Sequence, residues 1–423
     1  MLETLRPDVA YQGALSDVER EIEEPVSKRY RVLKIAPTSF FADYGCHVRI
    51  LEETLALQQL GSRIVVCTYN SGRDVAGIDI RRALGIPWAN GIKVGSSKRK
   101  ILFDAWLSMR SLSASLGFKP DIVHAHLHEG ALIGFPLSRL HRSPLIFDFQ
   151  GSLTSEMVDH NFLRRESVFY SPLRALEDVI NRKASAIITS SHNAADVLIR
   201  EFGCDHRKIY PVPDCVNPDR FRPRWEVSDE EKEALRAELG IPQGRRIVVY
   251  LGLLAEYQGS SHLLRAAALI RQRLPDVHFL LMGYPGQKRY QDLARALGID
   301  DHVTLPGRIP YERAPLSLSL GDVAVSPKIS ETEGNGKLLN YMAAGLPTVT
   351  FNTPVSREIL GDLGVYAELG DSDDLARALE DLLTDEGRAE ELGRGLRART
   401  LKHFVWKNAG RRILDIYEKA AHG

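Results

Sequence analysis

The stretch VLKIAPTSFFADYGCHVRILEETLALQQLGSRIVVC, residues 32–67, holds a strand, a helix and a second strand in that order. Val32 to Ala36 and Arg63 to Cys67 are short, rich in β-branched residues and largely apolar, the pattern of strands buried on both faces of a parallel sheet. Between them Val48, Leu51 and Leu55 recur at i, i+3 and i+7, which predicts a helix, and Gly61 suits the exit from it. The result is one βαβ unit.

Outward from this unit the series continues through Asp121 to Ala125, Leu145 to Asp148, Ala186 to Thr189 and Ile209 to Val212. Pro211, Pro213, Pro218 and Pro223 then interrupt it. A charged helical stretch, Asp229 to Leu239, precedes a second series that opens with Ile247 to Leu251 and a helix striped by Leu263, Ala267, Ile270 and Leu274. Further strands are expected at His278 to Met282, Val303 to Leu305, Val323 to Ser326 and Thr348 to Phe351. The expected fold is α/β: two Rossmann-like, doubly wound parallel-sheet domains facing a central cleft, with ligands at the carboxyl ends of the strands. The expected divisions are an N-terminal extension (1–30), a first domain (31–222), a linker with a connecting helix (223–243), a second domain (244–400) and a C-terminal helix (401–423) packing back toward the first.

At 423 residues the chain is long for one hydrophobic core, which independently favours two domains. Its 44% hydrophobic and 26% charged residues are those of a soluble globular protein, and no apolar run has the length to span a bilayer. Lysine plus arginine equals aspartate plus glutamate at 55 each, which argues against nucleic acid as the main partner. Cys46, Cys67, Cys204 and Cys215 form no Cys-x-x-Cys pair and no disulfide framework, so the expected location is the reducing cytoplasm, with the inner face of the membrane as an extension of it. Glu19, Glu21, Glu23 and Glu24 make the first thirty residues a surface extension rather than a signal peptide.

The chemistry concentrates in Ser326-Pro-Lys-Ile-Ser-Glu-Thr-Glu-Gly-Asn-Gly-Lys-Leu-Leu-Asn-Tyr-Met-Ala-Ala-Gly-Leu-Pro347, between a predicted strand and a helix. Gly334 and Gly336 let backbone approach a ligand closely, and free amides at the start of the helix favour a diphosphate. Lys328 and Lys337 add full charges, while Glu331, Glu333 and Asn340 can accept hydrogen bonds from sugar or ribose hydroxyls. Leu338, Leu339 and Met342 are expected to face the core. A lone glycine pair would favour the plainer reading of a turn with solvated charges; the accumulation of polar groups here favours a site.

Asp121-Ile-Val-His-Ala-His126, Ala184-Ser-Ala-Ile-Ile-Thr-Ser-Ser191, Pro213-Asp-Cys-Val-Asn-Pro-Asp-Arg-Phe221, Tyr250-Leu-Gly252 with Gln258-Gly259, and above all Met342-Ala-Ala-Gly-Leu-Pro347 carry a family likeness. Through them the chain after Arg31 resembles the large fourth family of retaining glycosyltransferases, whose GT-B fold has two Rossmann-like domains. The resemblance implies a nucleotide-diphosphate-sugar donor held by the C-terminal half as substrate, no separate cofactor, and an unidentified acceptor, glycan, lipid-linked or small. It implies retention at the anomeric carbon, the acceptor attacking on the face from which the nucleotide diphosphate departs.

In that family a glutamate pair separated by seven residues holds the donor sugar and ribose. Aligned from Pro327 the first member is Glu331, and aligned from Met342 the second is Asn340, which leaves eight residues between them; Glu333 to Asn340 leaves six. The arginine and lysine with which the family grips the diphosphate correspond to Leu253 and Gln258, so Lys328, Lys337 and Arg308 are expected to compensate. Gly45, from the loop Thr38 to Gly45, is carried over as the N-terminal contact to the diphosphate; Gly252, Asn335 and Leu338 complete the donor set. Gln150 takes the approximate place of a family histidine, and Asp148 or Gln150 is a candidate for touching the acceptor or sugar, each equally able to satisfy a loop backbone.

His124, His126 and His128 alternate along a strand end and so share a face, but one strand alone lacks a second ligand segment. The resemblance makes His126 a cleft residue and His124 a packing one. Asp371-Ser-Asp373 reads as a helix N-cap, and no catalytic metal is expected. Two rival functions share these residues: a nucleotide-sugar-binding protein with lost activity, suggested by Leu253, Gln258 and Asn340, and a GT-B epimerase.

Lys98-Arg99-Lys100 is the candidate for a weak peripheral membrane contact. In the helix that follows, Leu102, Ala105, Met109, Leu112 and Leu116 are expected to face the core, with Phe103, Trp106 and Arg110 on a neighbouring face. The plainer reading is a solvated charge run beside an ordinary core helix.

Overall fold

A computed structural model describes residues 29–42, 45–85, 100–159, 162–330 and 334–422. The first half runs β1 (Arg31–Ala36), α1 (Gly45–Gln59), β2 (Arg63–Thr68), β3 (Asp79–Arg82), α2 (Lys100–Phe118), β4 (Ile122–His126) and α3 (Leu127–His141). It continues with β5 (Leu145–Phe149), α4 (Leu153–Asp159), α5 (Tyr170–Lys183), β6 (Ala186–Thr189), α6 (His192–Phe202) and β7 (Ile209–Pro211). The second half has α7 (Asp229–Glu238), β8 (Arg246–Leu251), α8 (Ser260–Arg273), β9 (Val277–Met282), α9 (Gln287–Ala296), β10 (Val303–Gly307), α10 (Ala314–Ser319) and β11 (Val323–Ser326). It ends with α11 (Lys337–Ala343), β12 (Thr348–Phe351), α12 (Pro354–Leu360), β13 (Val365–Ala367), α13 (Ser372–Thr384), α14 (Glu386–His403) and α15 (Trp406–His422).

The strands form two parallel sheets, ordered β3-β2-β1-β4-β5-β6-β7 and β10-β9-β8-β11-β12-β13. Each is doubly wound: after β3 the chain crosses to the far side of β1, and after β10 to the far side of β8, leaving a crevice at the carboxyl ends where the winding reverses. Strand alternation divides the first sheet between two cores. Leu33, Ile35, Val123, Ala125 and Phe147 face one, whereas Val32, Ala36, Ile122 and Ile146 face the other.

On the second face the alternation also places charge. Lys34 lies beside His124 and His126 beside Asp148 in strand register, and all four side chains are fully buried. α15 closes this layer by packing on α1, with the Tyr417 hydroxyl 2.6 Å from His124 Nδ1. The two halves are tied across the cleft by Glu52, which pairs with Arg220 (3.0 Å) and accepts from Tyr311 (3.2 Å). Glu358 on α12 accepts from the His192 amide at the start of α6 (2.9 Å).

Two short edge strands, β3 and β13, escape the sequence reading, since Asp79-Ile-Arg-Arg82 and Val365-Tyr-Ala367 are too brief or too charged to stand out. The larger correction concerns α2. Phe103, Leu107, Ala114 and Phe118 form its core face, while Leu102, Met109, Leu112 and Leu116, expected inside, are 56%, 60%, 42% and 57% exposed. Phe103, expected on the neighbouring face, is buried, Trp106 is half-buried and Arg110 is exposed. Apolar stripes run along two faces of this helix, and spacing alone does not say which of them meets the sheet.

Candidate active site

The crevices of the two sheets meet in one cleft, a cavity of about 440 Å³. From the second half it is lined by Gly252 and Gln258 beyond β8, by Lys328 beyond β11, and by Gly334, Asn335, Gly336, Lys337 and Asn340 on the way into α11. From the first half Gly45 and Gln150 reach it. Glu331 and Glu333 lie outside the described residues, as do Lys98 and Arg99.

The lysines are held by specific contacts. Lys328 Nζ donates to the Gly334 carbonyl at 2.7 Å, and Asn335 Oδ1 accepts from Ser326 Oγ at 3.1 Å. Lys337 Nζ donates to Gln258 Oε1 at 2.5 Å and to the Tyr250 hydroxyl at 3.3 Å, and lies 4.6 Å above the Tyr250 ring. Its ammonium therefore stands beside Gln258, at the carboxyl end of β8. Packing at Gly259 fixes the approach of these two segments. Its φ is +75°, and a Cβ there would overlap the Pro327 carbonyl, so only glycine lets the turn after Gln258 lie against the residue preceding Lys328. α11 has seven residues, too short for its dipole to matter much, and the lysine charges dominate this wall.

The opposite wall carries a charge network in which Arg49 and Asp214 line the cleft and the fully buried Asp148 and His126 lie behind them. Asp148 accepts from Arg49 at 3.0 to 3.1 Å, from His126 Nδ1 at 2.8 Å and from Gln150 at 2.8 Å. Arg49 also donates to Asp214 (2.8 Å) and to the Val212 carbonyl (3.1 Å). Burial would raise the Asp148 carboxyl, but the Arg49 guanidinium and His126 overrule it and hold it well below the usual carboxylate range. His126 is thus a buried partner of Asp148 and does not line the cleft, a correction to the sequence expectation. Asp148 likewise lies behind the wall, and Gln150 stands in front of it.

Farther back, Lys34 pairs with Glu53 at 2.7 Å. Ligand atoms of Glu53, His124 and His126 lie within 4.8 Å of one another, so α1 supplies the second segment that the histidine strand lacks on its own. Each has one atom engaged, Glu53 Oε1 by Lys34, His124 Nδ1 by Tyr417 and His126 Nδ1 by Asp148, while Glu53 Oε2, His124 Nε2 and His126 Nε2 are buried without a hydrogen-bond partner among the described residues. Burial pushes the His124 imidazole down to about 3, so it is neutral near pH 7. His128 turns instead toward Glu177, 3.5 Å away.

Arg308 is exposed and stacks on Tyr284, whose ring lines the cleft, and Leu338 is a core residue. Asp371 caps α13 by accepting from the Asp373 and Asp374 amides, and all four cysteines are free thiols. Sequence reasoning missed Arg49 and Asp214. The signals for the network were Asp148 and, farther back, Lys34, charges inside otherwise apolar strands, each of which needs a buried partner.

A family model described as Glycosyltransferase Family 4 matches residues 45–220, and one described as Glycosyl transferases group 1 matches residues 231–399. The chain belongs to the fourth family of glycosyltransferases and has the GT-B fold. It is 25% identical over 392 residues to a D-inositol 3-phosphate glycosyltransferase of Xylanimonas cellulosilytica, a match covering 89% of this chain and 92% of the other. It is 30% identical over 215 residues to the 2-deoxystreptamine glucosyltransferase of Streptomyces kanamyceticus, where it covers 50% of this chain and 54%, about half, of that relative. Among solved structures it is similar to Anabaena HepE in complex with UDP-glucose, with a TM-score of 0.73, 16% identity, and 92% and 100% of the two chains covered.

Proposed function

We propose that this chain transfers a sugar, with retention, from a nucleoside-diphosphate sugar bound against the second sheet to an acceptor entering from the first, and that it does so without a metal ion. The observation that carries this reading is the placing of Lys328 and Lys337 at the carboxyl ends of β11 and β8, where the second sheet's winding reverses. A diphosphate there would meet two ammonium groups and the Gly334 to Gly336 backbone in a partly water-excluded cleft, which stabilises the charge that builds as it leaves. The departing phosphate oxygen then takes the acceptor's proton. Lys337 supports the enzyme reading over an inactive binding protein: it sits beside Gln258 and supplies the charge that position lacks. HepE, the structural neighbour, is a UDP-glucose complex, which favours the same donor class.

The acceptor would face Gln150, Lys100, Glu129 and Glu156 on the opposite wall. No described helix is long and apolar enough to cross a membrane, which fits a location in the cytoplasm or on its membrane face. Incubation with a panel of nucleotide sugars, with and without EDTA, should release nucleoside diphosphate slowly by donor hydrolysis and faster with acceptor. The product anomer should match that of the donor. An inverted product, a requirement for added manganese, or a sugar epimerised without transfer would each refute the reading.

A further inference from the structure

Helix α2 is apolar on two opposite sides. On a wheel of about 100° per residue, Leu102, Ala105, Met109, Leu112 and Leu116 fall within an arc of about 80°, opposite Leu107, Ala114 and Phe118. The second group is buried against the sheet; the first is exposed. A helix apolar all round normally has both sides covered. The exposed residues are spaced three, four, three and four apart, the repeat of a coiled-coil seam.

We propose that this seam is where a second copy of the chain docks, α2 packing antiparallel on its own equivalent about a two-fold axis through Met109. The spacing is self-complementary. Met109 meets Met109 of the copy, small Ala105 faces Leu112, and Leu102 faces Leu116, as an isologous interface requires. The flanks suit identical partners, because Trp106 and Ser113 on one side and Ile101 and Ser108 on the other bring no like charges together. Arg110 lies about 120° from the seam centre. A lipid surface fits less well. A helix lying in a membrane interface is rich in lysine and arginine along its polar face, whereas within α2 Lys100 is tied to Glu129 and the residues flanking the seam are uncharged.

The four large seam residues are 42% to 60% exposed. With Ala105, Ile101 and Trp106 the pair would bury about 1,000 Å² in total, the lower end for a specific interface, so the dimer is concentration-dependent. The test is sedimentation velocity from about 1 to 100 µM. Wild type should pass from monomer to dimer over that range, and Met109→Glu should remain monomeric with an unchanged melting temperature. Met109→Cys should give a disulfide-linked dimer on mild oxidation that the native chain does not form, which keeps the proposal testable even if the glutamate variant folds poorly. A wild-type monomer throughout, a Met109→Glu dimer, or no cross-link through Cys at 109 would overturn it. So would a monomer that floats with anionic phosphatidylserine vesicles and loses that binding in Leu112→Glu.

Discussion

Asp148 stands behind Gln150 with Arg49, His126 and Gln150 all bonded to it, so its role is to fix the direction of Gln150 and to neutralise Arg49. Asp148→Asn would leave Arg49 buried with only Asp214, and breaking a buried pair costs about 3 to 5 kcal/mol, with the lower figure expected because Asp214 remains. Urea unfolding measures this; a loss under about 1 kcal/mol would contradict the network's importance. The sign with pH follows from the depressed carboxyl. Its stabilising contribution is complete above the unfolded value of about 3.9 and is lost as pH falls below that toward the lower folded value. The variant should therefore lose less stability than wild type on acidification below about pH 4. On the wall that Lys328 and Lys337 line, Lys337→Ala should lower turnover at least about tenfold with little change in melting temperature, because a half-buried ammonium at the cleft serves a ligand more than the fold. Glu331→Ala should do the same and Glu333→Ala should not. The reverse result would move the sugar contact to Glu333.

At the scale of elements, the lysine-bearing wall of the cleft depends on two loops lying close enough for Gly259 to touch Pro327. Gly259→Ala puts a side chain at φ +75° and into the Pro327 carbonyl, which should cost about 1 to 3 kcal/mol and displace Lys328. A drop in kcat/KM accompanying the loss of stability checks this, and wild-type kinetics would show that the two loops act independently. Helix α2 shows where sequence reading reaches its limit. The stripe through Leu102 and Met109 is as apolar and as regular as the stripe through Leu107 and Phe118, and only the sheet beneath decides which becomes core. The longer strands were legible because burial on both faces leaves continuous β-branched runs; β3, with Asp79, Arg81 and Arg82 in four residues, carries no such mark.

For the whole molecule, the paired series of strands and helices made a two-sheet fold with a cleft legible before any coordinates, since each βαβ unit dictates a parallel neighbour. One wall of the cleft was also legible, because Lys328, Gly334, Gly336 and Lys337, which line it, sit close together in one segment. Of the opposite wall, Gly45, Asp148 and Gln150 were legible but Arg49 and Asp214 were not, because these come from distant parts of the chain and only the fold brings them within hydrogen-bonding distance. The central claim is that the cleft binds a nucleoside diphosphate through Lys328 and Lys337. Its most direct test is thermal unfolding of wild type and of the Lys337→Ala variant with UDP, ADP, GDP, CDP and TDP and their sugar conjugates, where a ligand at a hundredfold its dissociation constant adds about 2.7 kcal/mol of stability. At least one of these should raise the wild-type melting temperature and the variant should lose most of that shift; no shift with any of them, or an equal shift in the variant, would refute binding through these lysines.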